Sequence, residues 1–176
     1  MKKALLIASV LFIAVISTAC INNIAVQELN NKAQEYMQKG DYDSAINRLQ
    51  ASIDLDATMY ETYYNLGIAA TNAKKYDVAI EAFEDGIKIK PDFPDFYYSL
   101  AVAQYDFAED LISTSDDKKE ITPEDKNKAE ELKALAVQNA NKYLELKPNA
   151  EDKNDVENFI KDLNKQEDEP QKILEG

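Results

Sequence analysis

Between Val26 and Leu163 the apolar residues recur at three- and four-residue intervals, the spacing of a helix face rather than of a strand. Glycine and proline are scarce, four and five in the whole chain, and most fall where helices would end or pack closely. The pattern predicts an all-α fold without a sheet. It also repeats. Gly40-Asp41-Tyr42-Asp43-Ser44-Ala45-Ile46 returns as Lys74-Lys75-Tyr76-Asp77-Val78-Ala79-Ile80. Ala33, Gly67 and Ala101 stand 34 residues apart, as do Leu29, Tyr63 and Tyr97. A helix pair of that length cannot bury its apolar face alone, so stacked pairs build one continuous core. Small residues at Ala33, Ala45, Gly67 and Ala79 let backbones approach, and the aromatics beside them fill the remaining space.

The second unit is the fullest, with Tyr63, Leu66-Gly67, Ala79, Phe83, Gly86 and Pro91. It resembles the tetratricopeptide repeat, with Tyr63 in place of the usual tryptophan. The first unit matches at Ala33, Tyr36, Ala45, Leu49 and Ser52 but departs at Lys32 and Ala57, as suits a terminal repeat with one open face. The third begins at Pro94 and matches at Tyr97, Leu100 and Ala101. Its second half, with Ala136, Ala140, Tyr143, Leu144 and Pro148, arrives 57 residues after that of the middle unit instead of 34, an insertion of 23 residues near 109–131.

The resemblance implies a short solenoid of three helix-turn-helix repeats, 26–59, 60–93 and 94–150, within a domain spanning 26–164. Val156, Phe159, Ile160 and Leu163 form a last apolar stripe opposite Asp155, Glu157, Asn158, Lys161 and Asp162, and imply a capping helix within 151–164. The expected total is seven helices, in antiparallel pairs plus the cap. Residues 165–176 are polar, contain Pro170 and read as a flexible tail.

Within the insertion, Ser113 to Glu120 has loop composition. Thr122-Pro123-Glu124-Asp125 then reads as a helix start, with threonine as cap, proline in the first position and acids facing the positive helix end. The spacing predicts a helix from Pro123 to Leu146, and Phe107, Leu111 and Ile112 prolong the helix before it. The segment is either a tolerated surface insertion or a contact arm.

The N-terminus follows a different pattern. Lys2 and Lys3 precede an almost unbroken apolar run from Ala4 to Ile16, too short for a comfortable membrane span, and then Ser17-Thr18-Ala19. Residues 1–19 read as a secretory leader. Cys20, the only cysteine, follows at once. The arrangement resembles the lipobox of bacterial lipoproteins, with Ser17 where leucine is usual. It implies that Cys20 carries a diacylglycerol at the start of a short tether, 20–25. An ordinary signal peptide with an incidental cysteine and an uncleaved anchor are the alternatives. Ile21 stands where an inner-membrane lipoprotein of a Gram-negative cell commonly has aspartate, which implies the outer membrane in such an organism.

Composition narrows the chemistry. The chain lacks histidine and has one cysteine, so Cys/His zinc sites and histidine-activated nucleophiles are excluded. Pairs such as Asp116-Asp117, or Asp152 with Asp155, read as solvated, so catalysis, a cofactor and a metal are not expected. The net charge of −13 becomes −15 once Lys2 and Lys3 leave with the leader. Such a surface repels nucleic acid and anionic headgroups and serves either solubility or a basic partner.

In the family that these repeats resemble, the first helix of each repeat lines a concave groove. Carrying those columns over gives Asn30, Gln34 and Met37; Tyr64, Ile68 and Thr71; Tyr98, Val102 and Tyr105. Tyrosines in such columns suit binding of a protein or peptide segment. The cations with which one class of these repeats grips acidic chaperone tails are missing here. The expectation is a membrane-anchored interaction scaffold in the bacterial envelope, an accessory subunit of an assembly or transport complex. A surface-exposed lipoprotein with a structural or host-facing role, or a binder of small apolar ligands, is the alternative.

Overall fold

The computed structural model describes residues 23–113 and 121–168. The expected leader, Cys20 and residues 169–176 of the expected tail lie outside them, as does the polar stretch 114–120, while 165–168 continue the last helix instead of belonging to a tail. Seven helices and no strands occur among the described residues: α1 (23–38), α2 (Tyr42–Leu55), α3 (Tyr60–Asn72), α4 (Tyr76–Ile89), α5 (Pro94–Ile112), α6 (Pro123–Leu146) and α7 (Lys153–Asp168). The first six form three antiparallel pairs, and α7 packs on α6.

The turns inside the first two pairs are built alike, 34 residues apart. Asp41 N–H donates to Tyr36 O at 2.9 Å, and Gly40 N–H to Met37 O at 3.0 Å. Lys75 N–H donates to Ala70 O at 2.8 Å, and Lys74 N–H to Thr71 O at 3.0 Å. This is the Schellman way of satisfying the last carbonyls of a helix, and it needs a left-handed residue after the C-cap. Gly40 fills that place with φ +74° and Lys74 with φ +57°. The next helices start differently. Asp41 accepts from Ser44 N–H at 3.1 Å, whereas Lys75 offers no side-chain cap.

The core runs through the stack as a series of small residues facing rings. Gly67 and Gly86 are helical, and a Cβ on either would collide with a buried ring, Phe83 and Phe96 respectively. These contacts set how closely α3 meets α4 and α4 meets α5. Toward the C-terminus Ala101, Ala136, Ala140 and Tyr143 receive Val156 and Leu163 of α7. Phe159 and Ile160 are half-buried there, while Asp155, Glu157, Asn158, Lys161 and Asp162 point outward.

The insertion lengthens both helices of the third pair. α5 has 19 residues against 13 for α3, and α6 has 24 against 14 for α4. Thr122 and Asp125 form a reciprocal capping box at the start of α6, with Pro123 in the first turn. The extended part has its own small core of Ala108, Ala129 and Leu132, against which Phe107, Leu111 and Ile112 pack. Tyr76 stacks on Phe107 at 5.5 Å, and the Lys128 ammonium lies 4.4 Å above that ring's centre.

Candidate functional site

α3 meets α5 directly, and α1 is tied to α3 through Asn30 and Thr62, so α1, α3 and α5 lie along one side of the stack. The residues of the groove columns that the resemblance implies all stand on these three helices. Four of the column residues, Asn30, Tyr64, Tyr98 and Tyr105, contact other helices. The Asn30 carboxamide donates to Val26 O at 3.0 Å, Ser52 Oγ at 2.8 Å and Thr62 Oγ1 at 3.2 Å, which ties α1 to α2 and α3. Tyr64 meets Phe93, at the end of its own repeat, and Phe96 of the following one, each at 5.6 Å, and its hydroxyl accepts from Ser99 Oγ at 3.4 Å. The Tyr98 ring lies 5.3 Å from Tyr143, and Tyr105 meets Phe159 of the cap edge-on at 5.5 Å.

The columns therefore divide by role. Asn30, Tyr64, Tyr98 and Tyr105 are half-buried and are engaged with other helices. Met37 packs on the core of the first repeat and Ile68 on that of the second, each half-buried. Thr71 donates back to Gly67 O at 2.9 Å, Val102 is half-buried, and Gln34 is exposed. The cap covers part of the third column through Phe159, and Gln34 is the exposed column residue of α1.

Two surface features there escape a reading based on groove columns alone. The exposed face of α1 is a run of carboxamides, Asn23, Gln27, Asn31, Gln34 and Gln38, continued on α3 by Asn65 and Asn72. Their spacing of three, four and seven places them on one side of the helix, and that spacing is the signal by which sequence reading could find them. The second feature is electrostatic. α3 and α5 contain five carboxylates and no lysine or arginine, and the one cation of α1, Lys32, lies 3.7 Å from Glu35.

Where α5 overhangs the α3–α4 turn, Lys74, Tyr76, Asp106, Glu109, Asp110, Ile112 and Ser113 line an open cleft of about 510 Å³. Glu109 is held by the buried Lys133 ammonium at 2.8 Å, and Lys74 lies 3.8 Å from Asp110. Burial raises the Asp106 carboxyl above its ordinary range; Lys74 opposes that shift and Glu109 adds to it. At the cap, burial raises the Tyr143 phenol, helped by the bond it donates to Asp152 at 2.7 Å. Among the described residues no cluster of three potential ligands could hold a metal ion, and no helix is long and apolar enough to cross a membrane.

Comparison with known proteins agrees with this architecture. A tetratricopeptide-repeat family model matches residues 30–94 and 64–107. A tetratricopeptide repeat and J domain-containing co-chaperone, DNJ1, of Cryptococcus neoformans is 24% identical over 86% of this chain, which spans only 34% of that relative's length. Among solved structures, the first tetratricopeptide domain of Spaghetti (RPAP3), bound to the HSP90 peptide SRMEEVD, superposes with a TM-score of 0.61 at 18% identity, covering 80% of this chain and 91% of that one. The type III secretion chaperone SycD of Yersinia enterocolitica, in complex with a peptide of the translocator YopD, gives 0.62 at 18% identity, over 81% and 94%. The 34-residue period, the paired helices and these likenesses together make this chain a tetratricopeptide-repeat protein.

Proposed function

We propose that this protein is a lipid-anchored scaffold of the bacterial cell envelope that holds a segment of another protein in its concave face, as an accessory subunit of an assembly or transport complex. One observation carries the binding role: α1, α3 and α5 lie along one side of the stack, where Gln34 and the other carboxamides of α1 are exposed and Ile68 is half-exposed. The peptides bound by the RPAP3 domain and by SycD support the same use of this fold. The acidity of SRMEEVD does not carry over, because α3 and α5 offer it no cation. The anchor reading draws on Lys2-Lys3, the apolar run and Ser17-Thr18-Ala19-Cys20, with Ile21 favouring an outer-membrane address in a Gram-negative cell. Two or more acyl chains hold a protein at a bilayer stably where one does not.

Two measurements test the parts separately. Metabolic labelling with a fatty-acid analogue should mark the protein and fail to mark Cys20→Ser, which should also leave the membrane fraction or stay only through an uncleaved leader. Equal labelling of both ends the anchor reading. A photo-crosslinker at position 34 should capture a discrete envelope protein that the same probe at Glu84, outside the groove, does not. Identical products from the two positions count against the groove.

A further inference from the structure

We infer that the concave face selects an extended segment that is neutral where it crosses α1 and α3 and carries a lysine or arginine at the α5 end. This rests on the groove reading above and adds the chemistry of the partner. Carboxamides present a donor and an acceptor on one short group, so a row of them can meet the N–H and C=O groups of an extended backbone without demanding side-chain charge. The row on α1 is uninterrupted by charge, in a chain of which 30% is charged. Ile68 and the exposed part of Tyr64 supply the apolar contact.

Toward α5 the character changes. Asp95, Ser99, Val102 and Asp106 follow one another at helical spacing along one side of that helix. Asp106 lines the open cleft, where Glu109 and Asp110 have lysine partners, while Asp106, which feels Lys74 only through its charge, makes no hydrogen bond among the described residues. A half-buried carboxylate without such a donor gains most from one on a ligand. α3 and α5 carry no lysine or arginine, and in the cleft the single lining cation, Lys74, faces three carboxylates, Asp106, Glu109 and Asp110, so an acidic segment would meet net repulsion. Charge complementarity therefore favours a basic partner over an acidic one.

The test starts from a random dodecapeptide library displayed on phage and selected on the full-length protein in detergent. Peptides that bind are then synthesised and measured by fluorescence anisotropy, with each cation changed to glutamine in turn. Selected peptides should be enriched in lysine and arginine and depleted in aspartate and glutamate. One cation should matter most, its loss weakening binding by about tenfold or more, the scale of a lost charge-assisted hydrogen bond. Asp106→Asn should cause a similar loss and abolish the sensitivity to that cation, while thermal melting shows the fold intact. Enrichment of acidic peptides, or binding that ignores Asp106→Asn, overturns the inference and leaves groove binding standing. Peptides that bind equally well to an Ile68→Asp variant of unchanged helical content, or a selection that yields none, remove the groove reading and this inference together.

Discussion

Gly67 and Phe83 occupy one volume between α3 and α4: the ring lies where a Cβ on residue 67 would stand. Enlarging that position must push the helices apart or force the ring from its rotamer. Gly67→Leu is expected to cost about 1–3 kcal/mol, the usual range for overpacking, read as a lower urea midpoint. Lys74 shows the opposite situation. Its φ of +57° matches the +74° of Gly40 in the preceding repeat, but a side chain pays for that conformation. Its ion pair with Asp110 is long, at 3.8 Å, and exposed, so it offsets little. Lys74→Gly should therefore stabilise the domain by about 0.5–1 kcal/mol, measured the same way. The 34-residue step sets Tyr64 and Tyr98 at equivalent positions of neighbouring repeats, yet it carries no information on how far Phe93, Phe96 and Phe159 close over the column tyrosines. Substituting Tyr64 or Tyr98 consequently perturbs packing as well as any bound segment, and Gln34 is the cleaner probe.

At the scale of elements, the start of α6 was legible because capping is local chemistry. Thr122 accepts from Asp125 N–H at 3.1 Å, and the Asp125 carboxylate accepts from Thr122 N–H at 3.0 Å. Thr122→Ala removes the first of these and should cost about 1 kcal/mol. Because the cap sits at the far end of the extension, the loss should appear in hydrogen exchange as faster opening of the first turns of α6, with α3 and α4 unchanged. Equal acceleration throughout the chain would mean that the extension and the repeats unfold as one unit. The stripe of α7 was also readable, from Val156 to Leu163. Its consequence was not: the helix lies against Tyr105 as well as against Tyr143 and Ala136, and so narrows the third groove column. That contact joins residues more than fifty positions apart in the chain, a separation over which helical periodicity has no reach.

At the scale of the molecule, charge and stability are linked through Asp106. Its carboxyl has an ordinary pKa of 3.8 in an unfolded chain and is raised in the fold, chiefly by burial. For an acid raised in this way the unfolded state releases its proton first, so ionised Asp106 opposes folding once the pH exceeds both values. Asp106→Asn should raise the melting temperature at pH 7, and the gain should fade as the pH drops below the ordinary carboxylate range. A constant difference at every pH would assign the effect to packing instead. The same variant is expected to lose a basic ligand, so stability and binding move in opposite directions at this residue.

The sequence by itself determined the repeat length, the all-α class, the pairing of helices and the residues that meet in the core, because these follow from local periodicity and from side-chain size at fixed intervals. The proposed anchor likewise rests on consecutive residues, Lys2-Lys3, the apolar run and Ser17-Thr18-Ala19-Cys20, a pattern that needs no fold to be seen. Tertiary structure alone decided which groove residues remain open, where α7 closes the stack, and that Asp106, Tyr76 and Lys74 share a cleft. The physical reason is one of range. Helical faces and caps are set within a few residues, whereas exposure, charge surroundings and clefts depend on how rigid helices from distant parts of the chain stack on one another.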